Sequence, residues 1–412
     1  MRKGWEMKKM GEVLTIERGG SPRPIEKYIT DSPDGINWIK ISDATSSDRY
    51  IYETKEKITK DGLHKTRVVN DGDFILSNSM SFGRPYIMKT TGCIHDGWLV
   101  LKQNGRKIFE SEFLYYLLSS PFVFQQFNSK AAGSTVRNLN IALVSSVNVP
   151  VPPLVEQQRI ISILDEAFAA IATAKANAEQ NLKNAKELFD CYLQGVFENK
   201  GEDWKEVTLK AITLKIGSGA TPKGGNESYK SEGISLVRSM NVHDLEFREK
   251  NLAFIDEQQA SELNNVTLQE KDVLLNITGA SVARCCVMPT EYLPARVNQH
   301  VSIIRANQKI VSPVFLSLLL TSKLYKNQLL FTGEQGATRQ AITKAQLEVF
   351  KVCIPESLAA QESIIHKLDA LSKETKRLES IYRQKIKDLE EIKKSILQKA
   401  FAGELVIEKE LV

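Results

Sequence analysis

A chain of 412 residues and 46.3 kDa exceeds what one hydrophobic core usually organises, so two or three domains are expected. With 42% apolar and 25% charged residues it has the balance of a folded protein, and no apolar run reaches the roughly 18 residues that a spanning helix needs. The net charge of +5 is unevenly placed: cations are in excess over 1–154 and 203–355, while 155–202 is net acidic, which suits two weakly basic binding surfaces.

The chain opens with MRKGWEMKKMGEV, charged but without a following apolar stretch, so no secretory signal is expected. The five cysteines (Cys93, Cys191, Cys285, Cys286, Cys353) form no CxxC pair. That argues for reduced thiols and against a zinc site, in a cytoplasmic setting.

Taken in order, the elements occur twice. GWEMKKMGEVLTIERGGSPRP (4–24) is echoed by DWKEVTLKAITLKIGSGATPK (203–223): a Trp, an apolar stretch, then a Gly-rich turn ending in Ser/Thr-Pro. GINWIKISD (35–43) is answered by GISLVRSMN (233–241), and GDFILSNSMSFGR (72–84) by KDVLLNITGASVAR (271–284). GSTVRNLN (133–140) is answered by GATRQAIT (336–343). These are strand-like apolar runs punctuated by polar turns, with short helical pieces expected over 113–127 and 314–330.

Each block ends at a Pro-marked helix start, VPPLVEQQRIISILD from Val151 and IPESLAAQESIIHKLD from Ile354. From there 157–197 aligns with 361–401 without a gap. Apolar residues recur at heptad spacing along both helices. The first seam runs Leu164, Phe168, Ile171, Lys175, Ala178, Leu182, Ala185, Phe189, Tyr192, Val196; the second includes Leu368, Leu371, Thr375, Leu378, Tyr382, Lys385, Leu389, Ile392, Ile396. Stripes this long predict coiled-coil arms, and the simplest way to bury them is one against the other. A Gly closes each arm, Gly201 and Gly403.

The organisation read from the sequence is a first lobe over 1–154, a long helix over 155–202, a second lobe over 203–357, a long helix over 358–403 and a tail over 404–412. The fold class is α+β: two mixed α/β domains separated by two long antiparallel coiled-coil helices, with an internal pseudo-two-fold repeat.

Catalytic constellations are wanting. There is no GxxxxGK[ST] loop, no GxSxG elbow, and the five histidines pair with no cysteine or carboxylate at ligand spacing. One alternative is a metal-dependent nuclease built on Asp34, Glu53 and Lys55, whose loose carboxylate–ExK pattern would be chemically adequate for phosphodiester hydrolysis. The second lobe has no counterpart to it. A third reading is a coiled-coil adaptor with no nucleic-acid role.

The repeated openings, the GSTVRNLN and GATRQAIT loops, the VPVPPLVEQQRII junction and the arm ending LQKAFAGEL together resemble the specificity subunit of type I restriction–modification systems. The resemblance covers essentially the whole chain; the second junction departs, with Ala360 where the first has Glu156. It implies that each lobe is a target recognition domain and that the helices space the lobes and dock partners. The partners implied are double-stranded DNA, two modification (methyltransferase) subunits and restriction (translocase/nuclease) subunits, with no membrane. It also implies that this chain is no enzyme and holds no cofactor, S-adenosylmethionine, ATP and magnesium belonging to partner subunits.

A reader of a bipartite, asymmetric DNA site needs polar side chains at turns for base edges and cations for phosphates. The repeat nominates matching positions. In the first lobe these are Arg23, Lys40, Asp43, Ser77, Asn78, Ser81, Arg84, Thr135 and Arg137. In the second they are Lys223, Arg238, Asn241, Asn276, Thr278, Ser281, Arg284, Thr338, Arg339 and Gln340. Asn78 is paired with Thr278 by this alignment. Trp5 and Trp204 are expected to be core anchors and not stacking platforms.

Overall fold

Continuous apolar runs become strands buried on both faces. In the computed structural model, which describes residues 4–78, 82–103, 105–131, 138–334 and 341–405, every position of Phe74–Ser77, Pro85–Met88 and Val273–Asn276 is buried. The alternation of side chains along a strand explains why. Leu99 and Leu101 point into a core shared with helices, while Trp98 and Val100 enter a second core with Ile39, Met88 and Ile94. The second lobe repeats the device: Val273 and Leu275 face one core, Leu274 and Ile303 the other, and the adjacent Cys285 and Cys286 separate in the same way.

The chain divides into two compact units, Met1–Ala178 with Gln384–Val412, and Glu179–Arg383. In the first, a five-stranded sheet runs in the order Thr15–Arg18, Trp98–Lys102, Phe74–Ser77, Pro85–Met88, Tyr50–Ile51. A second five-stranded sheet runs Ile29–Thr30, Glu56–Ile58, Ile36–Ile39, Gly92–Ile94, Arg67–Val69. Glu6–Lys9 and Asn148–Val151 pair antiparallel, bringing the two ends of the lobe together.

The second unit has a four-stranded sheet, Thr213–Ser218, Val301–Ala306, Val273–Asn276, Cys285–Val287, and a three-stranded one, Ala253–Ile255, Ile234–Val237, Ala295–Val297. Trp204–Thr208 pairs with Lys351–Pro355 as the closing ribbon.

The helical pieces expected over 113–127 and 314–330 are each broken in two. Ser111–Leu118 gives way to Pro121–Lys130, and Pro313–Thr321 to Lys323–Glu334. Ser120 stops the first run: its hydroxyl bonds back to the Leu117 carbonyl and also receives the Val123 N–H, with Pro121 following at the first helical position.

The two long helices span Leu154–Glu198 and Leu358–Ala402, 45 residues each, and so are roughly 65 Å long. Within the first unit Leu164 and Phe168 share a core with Ile396, Leu397 and Phe401, and Lys175 Nζ meets Glu390 Oε1 at 2.7 Å, so the segments run antiparallel. Within the second, Phe189, Leu193 and Phe197 share a core with Ile364 and Leu368. The seam departs from the heptad reading at its ends: Tyr192 and Ile392 are exposed, Leu193 and Leu397 are buried in their place, and Ile386 rather than Lys385 is half-buried. A straight helix drifts about 20° per heptad, so a strict 3.5-residue stripe leaves the contact line.

The junction motif has an atomic explanation. Gln157 is fully buried; its Oε1 accepts from the Glu110 N–H, and its Nε2 donates to the carbonyls of Ile108 and Pro152. Gln361 does the same with the Ser312 N–H and the carbonyls of Ile310 and Pro355. Each glutamine latches its helix to the loop before a lobe helix. Of the two closing glycines only Gly403, at φ 77°, forms a Schellman cap, with Gly403 N–H to Ala400 O and Glu404 N–H to Lys399 O.

Candidate nucleic-acid interface

The loops that end the strands of the second lobe's main sheet bring three nominated residues, Thr278, Ser281 and Arg284, together. In the second lobe Thr278, Gly279, Ala280, Ser281 and Arg284 join Ser239, His300 and Ala341 around a notch of about 560 Å³. Thr278 Oγ1 lies 2.5 Å from His300 Nδ1, and Gln299 Nε2 lies 3.1 Å from His300 Nε2. With the Gln299 amide nitrogen donating, the ring accepts at Nε2 and carries its proton at Nδ1, toward Thr278. Arg284 also lines this notch and is half-buried. In the first lobe Arg84 stacks over Tyr86 at 5.2 Å and approaches Asp48 at 3.6 Å, with nearly half its side chain exposed.

Other nominated residues are placed where they cannot meet a base. Ser77, Asn78, Asn241 and Asn276 are essentially fully buried and Asp43 nearly so. Each is spent on backbone. Asp43 Oδ2 accepts from the Lys40 N–H, and Asn241 Oδ1 from the Arg238 N–H. Asn78 donates to the Asp96 carbonyl, and Asn276 to that of Ser239. Ser77 bonds the backbone of Arg84. These five side chains shape the loops from beneath, because burial keeps them from a ligand, although Asn276 Oδ1 has no hydrogen-bond partner among the described residues.

Lys40 is tied to Glu56, and Arg238 is held over Tyr229 with Nη2 on the Asn251 carbonyl. Arg23 and Lys223 are exposed on the Ser/Thr-Pro loops. Ser281 is half-buried in the notch. Ser81, Thr135, Arg137, Thr338, Arg339 and Gln340 lie outside the described residues.

Backbone bonds correct one match. Asn78 N–H reaches the Gly97 carbonyl and Asn78 O receives Leu139 N–H; Ile277 has the same two bonds, to His300 and from Ile342. Asn78 is therefore the counterpart of Ile277, not of Thr278. The same bonds reveal residues that sequence comparison passed over. His95-Asp96-Gly97-Trp98 and Asn298-Gln299-His300-Val301 are equivalent turns, each closed by an i+3 N–H to i carbonyl bond and each leading into a central strand. IHDGWLVL and VNQHVSII share too few letters to align by eye, though both precede a strand.

The opening loops abut these turns. A Cβ on Gly19 would fall 2.1 Å from the His95 carbonyl oxygen, and one on Gly219 1.8 Å from that of Val297, so only glycine lets the backbones meet. At the loop tips Ser21 Oγ donates to Asp96 Oδ1 at 2.7 Å, and Thr221 hydroxyl bonds Gln299 Oε1. The Ser21 hydrogen bond is the main reason that the Asp96 carboxyl lies below its usual range, against its partial burial; its own backbone N–H and, less, Arg23 add to it. Burial pushes His95 down, toward the neutral ring.

Trp5 is buried in the first core, and Trp204 packs on Phe197 and Phe315, so both are anchors. Asp34 and Glu53 are exposed, and no group of three His, Cys, Asp or Glu side chains that could hold a metal occurs among the described residues.

Comparison with known proteins identifies the architecture. A family model described as type I restriction modification DNA specificity domain matches twice, over residues 2–184 and 201–390. The MjaVIII type I restriction enzyme specificity subunit of Methanocaldococcus jannaschii is 22% identical, over 97% of this chain and 93% of that protein. The EcoBI specificity subunit of Escherichia coli is 24% identical over 72% of this chain, which spans 66% of that relative's length. Among solved structures, a chain from a type I R-M system studied for complex assembly and conformational transition superposes with a TM-score of 0.73 at 21% identity, covering 98% of this chain and 99% of that one. The HsdS subunit of Thermoanaerobacter tengcongensis gives 0.67 at 20% identity, covering 98% of both. These likenesses, and not the missing metal cluster, set the nuclease reading aside: the chain belongs to the type I restriction modification DNA specificity domain family and carries that domain twice.

Proposed function

We propose that the chain is the non-catalytic specificity subunit of a type I restriction–modification assembly, each lobe reading one half of a bipartite, asymmetric DNA site. The carrying observation is that one backbone framework is built twice with different side chains at its tips: Ser21 and Asp96 against Thr221 and Gln299, on equivalent turns. Identical frames give equivalent approaches to DNA, and different tips give unequal half-sites. Arg23, Arg84, Lys223 and Arg284 supply exposed or half-exposed cations for phosphates or guanine edges, Thr278 and Ser281 lie beside Arg284, and Lys40 belongs to the same proposal through the repeat. The loops bearing Ser81, Thr135, Arg137, Thr338, Arg339 and Gln340 belong to the same proposal through the repeat.

The two helices space the lobes and dock two modification subunits, which carry S-adenosylmethionine and methylate adenine. Restriction subunits add ATP- and magnesium-dependent translocation and cleavage, all in the cytoplasm. The lobes are taken as 1–154 and 203–357, the arms as 155–202 and 358–403.

Mapping modified adenines in host DNA with and without this chain tests the reading. Co-expression with the modification subunits should yield one copy of this chain with two of theirs, and a two-part methylated motif that vanishes when the chain is removed. Methylation by this chain alone, or a motif unaffected by its loss, overturns it.

A further inference from the structure

The position held by Asp96 in the first lobe and Gln299 in the second combines three properties. It sits on an equivalent turn in both lobes, it is fixed by the loop before it, and it keeps a face toward solvent. Nearly half of the Asp96 side chain is exposed, and Gln299 is exposed. Each is held by the loop before it, through Ser21 or Thr221, and by one further neighbour, Arg23 or His300. The glycines behind them press backbone on backbone, so these side chains stand on rigid ground.

Their chemistry is opposed. Asp96 is an acceptor throughout, kept ionised by the Ser21 hydroxyl, with Arg23 Nη2 3.6 Å from Oδ2. Gln299 spends acceptor capacity on Thr221 and one amide hydrogen on His300 Nε2, which leaves it a free donor. A carboxylate on a DNA-facing surface is repelled by phosphates; Ser21 and Arg23 offset this in part, and the face left to solvent is matched on DNA only by a donor. In the major groove only cytosine N4 and adenine N6 present one, whereas guanine N7 and O6 and thymine O4 are acceptors.

We propose that Asp96 and Gln299 are paired specificity-determining residues of opposite polarity. Asp96 requires an amino-bearing base, adenine or cytosine, at one position of its half-site. Gln299, oriented by Thr221 and the His300–Thr278 pair, favours a base presenting an acceptor at the matching position of the other half-site. The assignment rests on the proposed reading of one half-site per lobe.

The test uses the assembled complex with modification subunits, scoring methylation of a DNA library randomised over both half-sites. Asp96→Asn should relax discrimination at one position of one half-site by about tenfold, the worth of one good base contact, leaving the other half-site unchanged. Gln299→Glu should shift one position of the opposite half-site toward adenine or cytosine. Because Gln299 is exposed and its side-chain partners are polar, that variant reports even where Asp96→Asn loosens the first lobe. Unchanged preferences in both variants, or a uniform loss across all sequences, overturn the assignment while the wild-type motif keeps the broader reading standing. A wild-type complex with no motif overturns both.

Discussion

The two lobes agree where they are buried and differ where they are polar. Phe113 and Phe315 occupy one place in the repeat, and each meets the end of a long helix: Phe401 at 5.3 Å in the first lobe, Phe197 at 5.6 Å in the second. Gln157 and Gln361 latch to the same three backbone groups. Beside these constants, Tyr116 is replaced by Leu318. In the first lobe Tyr116 donates its hydroxyl to Asp165 and, with Glu112, holds Arg49, whose guanidinium also lies 4.4 Å from the Tyr115 ring. Burial and the Asp165 bond push the Tyr116 hydroxyl up to about 12, while the Tyr116 and Glu112 contacts raise Arg49 against its burial. In the second lobe the counterpart of Asp165, Asp369, pairs along its own helix with Lys373. Packing fixes the frame because a core tolerates little change in volume, whereas polar periphery can be exchanged at small cost.

That contrast can be broken most severely at the helix ends. Phe197→Ala and Phe401→Ala each empty a fully buried site and should each destabilise by about 3–5 kcal/mol. Chemical denaturation should show the loss in the lobe that the residue enters, and equal, small effects from both would contradict the shared frame. Next in size, Gln157→Leu and Gln361→Leu each strand one N–H and two carbonyls, for roughly 1–3 kcal/mol. The two values should match within error, since their partners do.

Tyr116→Phe sharpens the difference. It removes two hydrogen bonds, one to Asp165 and one from Arg49, and should lower stability by about 1–3 kcal/mol, whereas Leu318→Met in the second lobe exchanges one apolar side chain for another of similar volume and should stay within roughly 1.5 kcal/mol. The smallest effect is one of pH. Asp96 is held below its usual range chiefly by Ser21, so this tie contributes fully above the unfolded-state value and is lost as pH falls through the folded one, below about 4. Gln299 does not titrate. Amide protection factors over 19–23 should therefore fall in acid relative to those over 219–223.

Much of this was legible in the sequence because repetition and periodicity survive divergence. The two long helices and the paired lobes follow from spacing. The site was only partly legible. Ser77, Asn78, Asn241 and Asn276 have the residue types of base readers, and a linear pattern does not show that backbone has already claimed them. Asp96 and Gln299 were missed for the opposite reason: equivalence lies in the bonds of a four-residue turn, and their letters differ. Tyr192 and Ile392 show the limit of a heptad stripe, which ignores helical drift over many turns.

Under the proposed function each lobe reads its own half-site independently. The most direct measurement replaces 4–153 with the corresponding lobe of another family member, leaving both long helices in place, and sequences the methylated DNA of cells carrying the hybrid with its modification subunits. One new half-site is expected, with the other unchanged and the same gap between them. Two changed half-sites, or an unchanged motif, would contradict that reading.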